Sequence, residues 1–407
     1  MKKLVSIIII VCATIGCVAC TSTESASGGG NYLLDEKFQT ETYLSLYDMQ
    51  NAYARFKIAC ESENAYYFKP EQSHFIYFYD KETGVVDKLC GRPECSHDTA
   101  DCNAYLDEQL GICCYNQKIY FTKQDKMRSV LYAMNEDGTD LERVQELQSD
   151  MNGWNPMMRI HRGYVYTAVI KKEVIDGQES SRVIVQQEIL GQESGETVVV
   201  YEEALVQSDY GIDFYIQAQG NTLYLLINQQ NVDTDPGTIL TIYAYDTRTR
   251  TMDTVAEGTY PNVFVTDFMI QEDTAYITLN GNHQQNYLLS CDLQNKMIGS
   301  LQEISMDGGS YTPALQRDVI VGYRGTSDPA YFIGDLEGNL IRQGNLPQAE
   351  GQEETIAVLM GRLDDGILFT LSSSFGEQNK ETLLLVPLDP TQEVETLWEE
   401  EVVPSAQ

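Results

Sequence analysis

The sequence predicts an all-β fold: a single β-propeller of four-stranded antiparallel blades, seven in number. Three features carry this reading. Short bursts rich in Tyr, Phe, Val and Ile alternate with polar or Gly-bearing turns along the chain, the pattern of strands in a meander. A polar residue closing the third burst of each unit recurs at about 50 residues, the range of one propeller blade. No stretch sustains helical periodicity or offers a crossover helix. Seven such meanders in series close into a ring, which leaves only short, protected edges. A pair of β-sandwiches is the competing architecture, and regular spacing without a linker argues against it.

The clearest unit runs from Arg55 to Cys90. Its bursts are Phe56 to Cys60, Ala65 to Phe68, Phe75 to Tyr79 and Val85 to Leu89, with a turn at Asp80 to Gly84. The second unit uses Ile112 to Tyr115, Ile119 to Phe121, Val130 to Met134 and Leu141 to Val144. Aligning Tyr67-Phe68 on Tyr120-Phe121 superposes Cys60 on Cys113, so the units repeat in detail. Both cysteines then read as small core residues of matching inner strands. Five further units follow. The third, around Tyr164 and Val183, has the longest hairpins, and the sixth, around Val319 and Tyr331, is the thinnest. Asp80, Asn135, Asp246, Asp292, Asp335 and Asp389 end the third strand in six of the seven units. Asx side chains suit that place because they bond nearby backbone in a turn.

The propeller is expected over 55–400, with a short tail at 401–407. Before it, 21–54 reads as a flexible linker and polar lead-in, and 1–20 as a signal peptide. Lys2 and Lys3 precede an apolar run from Leu4 to Gly16, too short for a transmembrane helix of about 20 residues and suited to a secretory signal. The stretch resembles a bacterial lipoprotein signal, in which the Cys after the cleaved bond receives lipid. Gly16-Cys17 and Ala19-Cys20 both place a small residue before the thiol. Neither has the Leu usual three residues earlier. Cys20 is the preferred anchor because the Ser/Gly linker starts directly after it. The resemblance implies a protein of the bacterial cell envelope, held to a membrane by an N-terminal lipid on the extracytoplasmic side.

The 407 residues carry 61 acidic and 27 basic side chains, a net charge of -34. A surface this negative repels phosphate backbones, so nucleic acid is not an expected partner. A monomer is expected.

One stretch carries chemistry. Cys90, Cys95, His97 and Cys102 follow the spacing C-x4-C-x-H-x4-C. Three thiolates and an imidazole suit a tetrahedral structural zinc ion. Gly91 and Pro93 permit tight turns between ligands, and Asp98 or Asp101 is placed to orient the imidazole. Disulfides Cys90–Cys95 or Cys95–Cys102 are the alternative outside the cytoplasm. With Cys20 lipidated, the cysteines left are Cys60, Cys90, Cys95, Cys102, Cys113, Cys114 and Cys291. That odd number prevents complete pairing within one chain.

An aromatic residue precedes the inner strand in four of the inter-blade links: Trp154, Tyr210, Tyr260 and Tyr311. Around a channel mouth such rings can stack on sugars or grip a peptide. The alternative is that they wedge between blades as core. The sequence has no Gly-x-Ser-x-Gly elbow, HExxH pair or glycine-rich phosphate loop, and no catalytic residue is assigned.

The chain resembles bacterial extracytoplasmic propellers with TolB-like blades, over about residues 55–400 on blade pattern and the Cys/His stretch. The expected role is a membrane-tethered binding or scaffold protein for an envelope protein, peptide or glycan. The alternative is a hydrolase or lyase acting on polysaccharide or peptide.

Overall fold

The structure is a computed structural model describing residues 59–402, apart from 107–110, 126–127, 148–156, 176–177, 193–196, 206–211, 232–236, 282–284, 305–310, 326–327, 349–353 and 376–377. Seven antiparallel sheets follow one another, each built from consecutive strands. Blade 1 is β1 (Ala59–Glu61), β2 (Ala65–Phe68), β3 (Tyr77–Asp80) and β4 (Val86–Lys88). Blade 2 is β5 (Ile112–Tyr115), β6 (Lys118–Asp125), β7 (Arg128–Asn135) and β8 (Glu142–Leu147). Blades 3 to 7 are β9–β12 (157–205), β13–β16 (212–261), β17–β21 (263–304), β22–β25 (312–345) and β26–β29 (354–402). The fold is the expected seven-bladed β-propeller.

The first strands of the blades neighbour one another around the ring. β1 lies beside β5, β5 beside β9 (Met157–His161), and β9 beside β13 (Ile212–Gln219). β17 (Val263–Gln271) adjoins β13 and β22 (Thr312–Gln316), and β26 (Glu354–Arg362) returns to β1.

The core is divided among the blade interfaces. Strand β2 shows how: all four residues of Ala-Tyr-Tyr-Phe are buried. Successive side chains point to opposite faces, and both faces of a blade are covered. Tyr66 and Phe68 join Met360, Leu368 and Leu383 of blade 7, while Tyr67 joins Ile112 and Phe121 of blade 2. Hence the bursts are continuous apolar runs rather than alternating ones. Each large side chain removed from water stabilises by about 1.5–3 kcal/mol. Among the described residues, every interface between consecutive blades has such a cluster, including that between blades 7 and 1.

The third-strand markers do what Asx chemistry predicts. Asp80 accepts from the Glu82 and Thr83 amides, Asp246 from Arg248 and Thr249, Asp292 from Asn295, Asp335 from Glu337 and Asn339, and Asp389 from Thr391. Asn135 instead donates to Thr139 Oγ1, and Asp137 accepts from the Thr139 amide. Blade 3 is the overgrown unit, with twelve-residue strands β10 (Tyr164–Ile175) and β11 (Gln178–Ile189). Blade 6 is complete, and none of its outer strand β25 (Leu340–Asn345) is buried, which made the unit look thin. In blade 5 the outer strand is split into β20 (Met297–Ile298) and β21 (Gln302–Ile304), both paired to β19 (Asn286–Asp292). The last strand, β29 (Glu395–Val402), extends to Val402.

Polar side chains near the ring's inner wall clasp one blade to the next. Arg159 Nε donates to the Ile216 carbonyl at 2.8 Å, and Gln217 Nε2 to the Phe268 carbonyl at 2.8 Å. The Asp267 carboxylate accepts from the Leu315 amide at 2.8 Å. These links join blades 3 to 4, 4 to 5 and 5 to 6. Burial pushes the Arg159 guanidinium down to about 10, opposed by the nearby Asp267 carboxylate.

Candidate metal centre

The Cys/His stretch interrupts the outer strand of blade 1. Strand β4 pairs with β3 up to Lys88 opposite Tyr77, and the Leu89 amide then donates to the Ile76 carbonyl. The chain leaves the sheet at Cys90 and resumes pairing at Ala104. There the Ile76 amide donates to the Ala104 carbonyl at 2.8 Å, the Leu106 amide to the His74 carbonyl at 2.7 Å, and Phe75 bridges Tyr105. The stretch is therefore an insertion within a strand rather than a link that follows one. The signal for this in the sequence is Ala104-Tyr105-Leu106, a short apolar burst just beyond Cys102.

The loop is pinned to the turn between the third and fourth strands of blade 2. The Asn103 side chain donates to the Gly138 carbonyl at 2.9 Å, and Tyr67 Oη to the Glu136 carbonyl at 3.2 Å. At Gly91 the fit is so close that a Cβ atom would lie 2.4 Å from Thr139 Cγ2 and 2.8 Å from the Asp137 carbonyl oxygen. Gly138 has φ of 76° and presses on the backbone of Leu89 and Cys90. Glycine is required there on both counts.

Within the loop, Cys90 Sγ, Cys95 Sγ, a His97 ring nitrogen and Cys102 Sγ all lie within 4.8 Å of one another. His97 Nδ1 is 3.5 Å from Cys102 Sγ. Tetrahedral coordination by sulfur at about 2.3 Å and nitrogen at about 2.0 Å needs ligand separations just under about 4 Å, so a small contraction completes the site. Two features hold the ligands in place. His97 takes a left-handed φ of 55°, uncommon for a non-glycine residue. One-turn bonds run from the Cys95 amide to the Arg92 carbonyl and from the Cys102 amide to the Thr99 carbonyl. Cys102 is buried and the other three ligands are partly so.

Two of the thiols are shifted in opposite directions. The His97 amide, donating to the Cys95 sulfur, holds that thiol below its ordinary range, aided by the Arg92 guanidinium. Burial pushes the Cys102 thiol up to about 12. A buried thiolate of this kind needs a cation beside it. The four residues thus form a group that can bind a metal ion. Asp98 accepts from the Ser96 hydroxyl.

The other sequence-derived site residues fall differently. Cys20, Trp154 and Tyr210 lie outside the described residues. Tyr260 is not in a link: it belongs to the long outer strand of blade 4, β16 (Thr251–Pro261), opposite Thr238. It is half-buried, with its ring over Gly258. Tyr311 does precede an inner strand. It is 7% exposed, inside the cluster between blades 5 and 6, with the Arg324 guanidinium 5.9 Å from its ring centre.

No protein-family model matches the chain, and no curated protein matches it. Solved structures match in fold. A prolyl endopeptidase aligns at 14% identity with a TM-score of 0.53, over 87% of this chain and 51% of that one. A puromycin hydrolase aligns at 13% identity and a TM-score of 0.52, over 90% and 57%. The chain thus spans about half the length of these neighbours. TolB from Acinetobacter baumannii is a looser match, at 12% identity and a TM-score of 0.41, over 71% and 65%. At such identities the likeness is one of fold.

Proposed function

We propose that the chain is a membrane-tethered β-propeller on the extracytoplasmic side of a bacterial envelope, and that it binds a protein, peptide or glycan partner. The observation that supports the binding role is the Cys/His insertion. Its base is buried against two blades, while Pro93, Glu94, Ser96 and Asp98 at its tip are exposed. A tip held from beneath is preorganised for docking, which lowers the ordering cost of association. The ion is zinc, bound by Cys90, Cys95, His97 and Cys102. Four protein ligands leave no open coordination position, so its role is structural. Trp154, Tyr210 and Tyr260 extend the recognition surface, Tyr260 through its partly exposed edge, whereas Tyr311 is buried at the interface of blades 5 and 6 and is left out of it.

A glycan array followed by pulldown from envelope extract tests this role. The wild-type chain should retain a defined glycan or envelope protein, and His97→Ala and Trp154→Ala should each weaken retention. Equal retention by all three would remove both surfaces from the binding role. The tether is tested separately. Replacing Cys17 and Cys20 together by Ala should release the protein into the medium, and continued membrane association of that double variant would refute the lipid anchor. A hydrolase acting on peptide is the second reading. It draws only on the names of the two neighbours with the higher TM-scores, and fold alone does not transfer an activity.

A further inference from the structure

The first two blades hold a second pair of sulfurs, separate from the Cys/His group. Cys60 lies in β1 and Cys114 in β5, the innermost strands of adjacent blades. Their Sγ atoms are 2.9 Å apart. Strand alternation explains why Cys114, and not its neighbour Cys113, is the partner. Cys113 pairs with Tyr120 and packs into the cluster shared with blade 3. Cys114 points the other way, into the cluster shared with blade 1, where Cys60 and Tyr67 lie. The match of Cys60 to Cys113 in the repeat is preserved, since each faces the next blade. The contact is made by the cysteine added beside the repeat position.

We propose that Cys60 and Cys114 are a disulfide-forming site that staples blade 1 to blade 2. Left as thiols, the two groups make only a weak S–H···S contact. Oxidation replaces it with a covalent bond of about 2.05 Å. The two thiols lose two protons and two electrons. A disulfide oxidant, RSSR, accepts them and leaves as two RSH, through a mixed disulfide with one of the pair. Cys114 is the less buried of the two residues, so the oxidant meets it first, slowly because burial holds its thiol well above the ordinary range, and Cys60 then displaces the leaving thiol.

This pairing fits the seven cysteines among the described residues. Three serve the Cys/His group, two form the staple, and Cys113 and Cys291 remain as buried thiols at blade interfaces. The bond closes the segment from Cys60 to Cys114, which contains the entire Cys/His insertion. It therefore restricts the unfolded chain around that loop.

The test is peptide mapping of the full chain, zinc-loaded and treated with oxidised glutathione, then denatured and alkylated without reduction. Trypsin, which does not cut before the prolines at Lys69-Pro70 and Arg92-Pro93, places Cys60 on one peptide, Ile58 to Lys81, and Cys114 on another, Leu89 to Lys118. The expected result is a covalent link between these peptides, present in Cys113→Ser and lost in Cys114→Ser. Recovery of the Cys60 peptide alkylated as a free thiol in the wild type would overturn the proposal. So would a link that survives Cys114→Ser. Because the readout is the Cys60 peptide, it is independent of whether the Cys/His group holds metal or forms its own disulfide.

Discussion

The Tyr66 hydroxyl donates to the Met360 main-chain carbonyl at 2.7 Å, joining residues 294 positions apart in the chain. This bond closes the ring. Among the described residues, no blade borrows a strand from the opposite end of the chain. Among the described residues, the seam between blades 7 and 1 is therefore held by side-chain packing and by bonds between side chains and main chain rather than by a shared strand. Around Tyr66, the Tyr77 hydroxyl donates to Glu400 at 2.6 Å, and Phe68, Tyr77 and Trp398 stack in one group. Tyr66→Phe keeps the ring and strands a buried carbonyl. It should destabilise the protein by about 1–3 kcal/mol, read as a lower denaturant midpoint with an unchanged slope. An unchanged midpoint would mean that the carbonyl finds another donor.

A second prediction concerns the inner wall. Asp267 is 2% exposed and accepts from the Phe268 and Leu315 amides. Asp267→Ala leaves the Leu315 amide buried without this acceptor and removes the charge that favours the Arg159 cation. The loss should exceed about 2 kcal/mol, and Asp267→Asn should recover part of it because a carbonyl oxygen remains. Equal losses in the two variants would assign the effect to charge rather than to the amide bond.

These clasps mark the limit of what the sequence disclosed. The strands were legible because a blade buries both faces, so its bursts are apolar throughout, as in Ala65 to Phe68. The turns were legible because Asp80 and its equivalents bond local backbone. Arg159, Gln217 and Asp267 interrupt such bursts, but each makes a hydrogen bond to the neighbouring blade. Their partners lie about 50 residues away, and nothing local identifies them. The grouping of Cys90, Cys95, His97 and Cys102 was legible from spacing alone. Their setting was not, because the outer strand of blade 1 breaks at Cys90 and resumes at Ala104 through pairing with Phe75 and Ile76. Tyr260 was read as a link residue because its strand continues beyond the expected four residues to match a long partner.

Glu381 gives the chain a pH dependence. It is fully buried, accepting from Ser372 Oγ and from the Gln72 amide at 2.7 Å across the same closing seam. Burial raises its carboxyl to about 7; the Glu71 charge adds to this, while the hydrogen bonds and the Lys69 charge oppose it. The unfolded chain releases this proton near about 4.3. The native state therefore binds more protons between those values, and stability falls as pH rises from about 4.5 to about 7. The decline attributable to this group is at most about 4 kcal/mol. Glu381→Gln preserves an acceptor for Gln72 and carries no charge. It should be more stable than wild type at pH 8 and lose this part of the pH profile. A wild-type decline that persists in Glu381→Gln would assign the dependence to other groups.

The last prediction separates metal from disulfide at the Cys/His insertion. If zinc holds Cys90, Cys95, His97 and Cys102, protein purified without added metal should contain about one zinc per chain by elemental analysis, and His97→Ala should lose it. Chelation should lower the melting temperature, and less so at acid pH, where protonated thiols and imidazole already weaken the ion's hold and leave less stabilisation to lose. Gly91→Ala offers a test that leaves every ligand in place. Its new Cβ would meet Thr139 Cγ2 at 2.4 Å and the Asp137 carbonyl at 2.8 Å, so the loop must lift from blade 2. Zinc should then still bind, but the thermal stabilisation it confers should shrink, because the ion would fix a loop no longer seated on the blade. Retention of full stabilisation would mean that the ion orders the loop alone. An absence of metal, with two of the three loop thiols unreactive after denaturation, would mean a disulfide in its place.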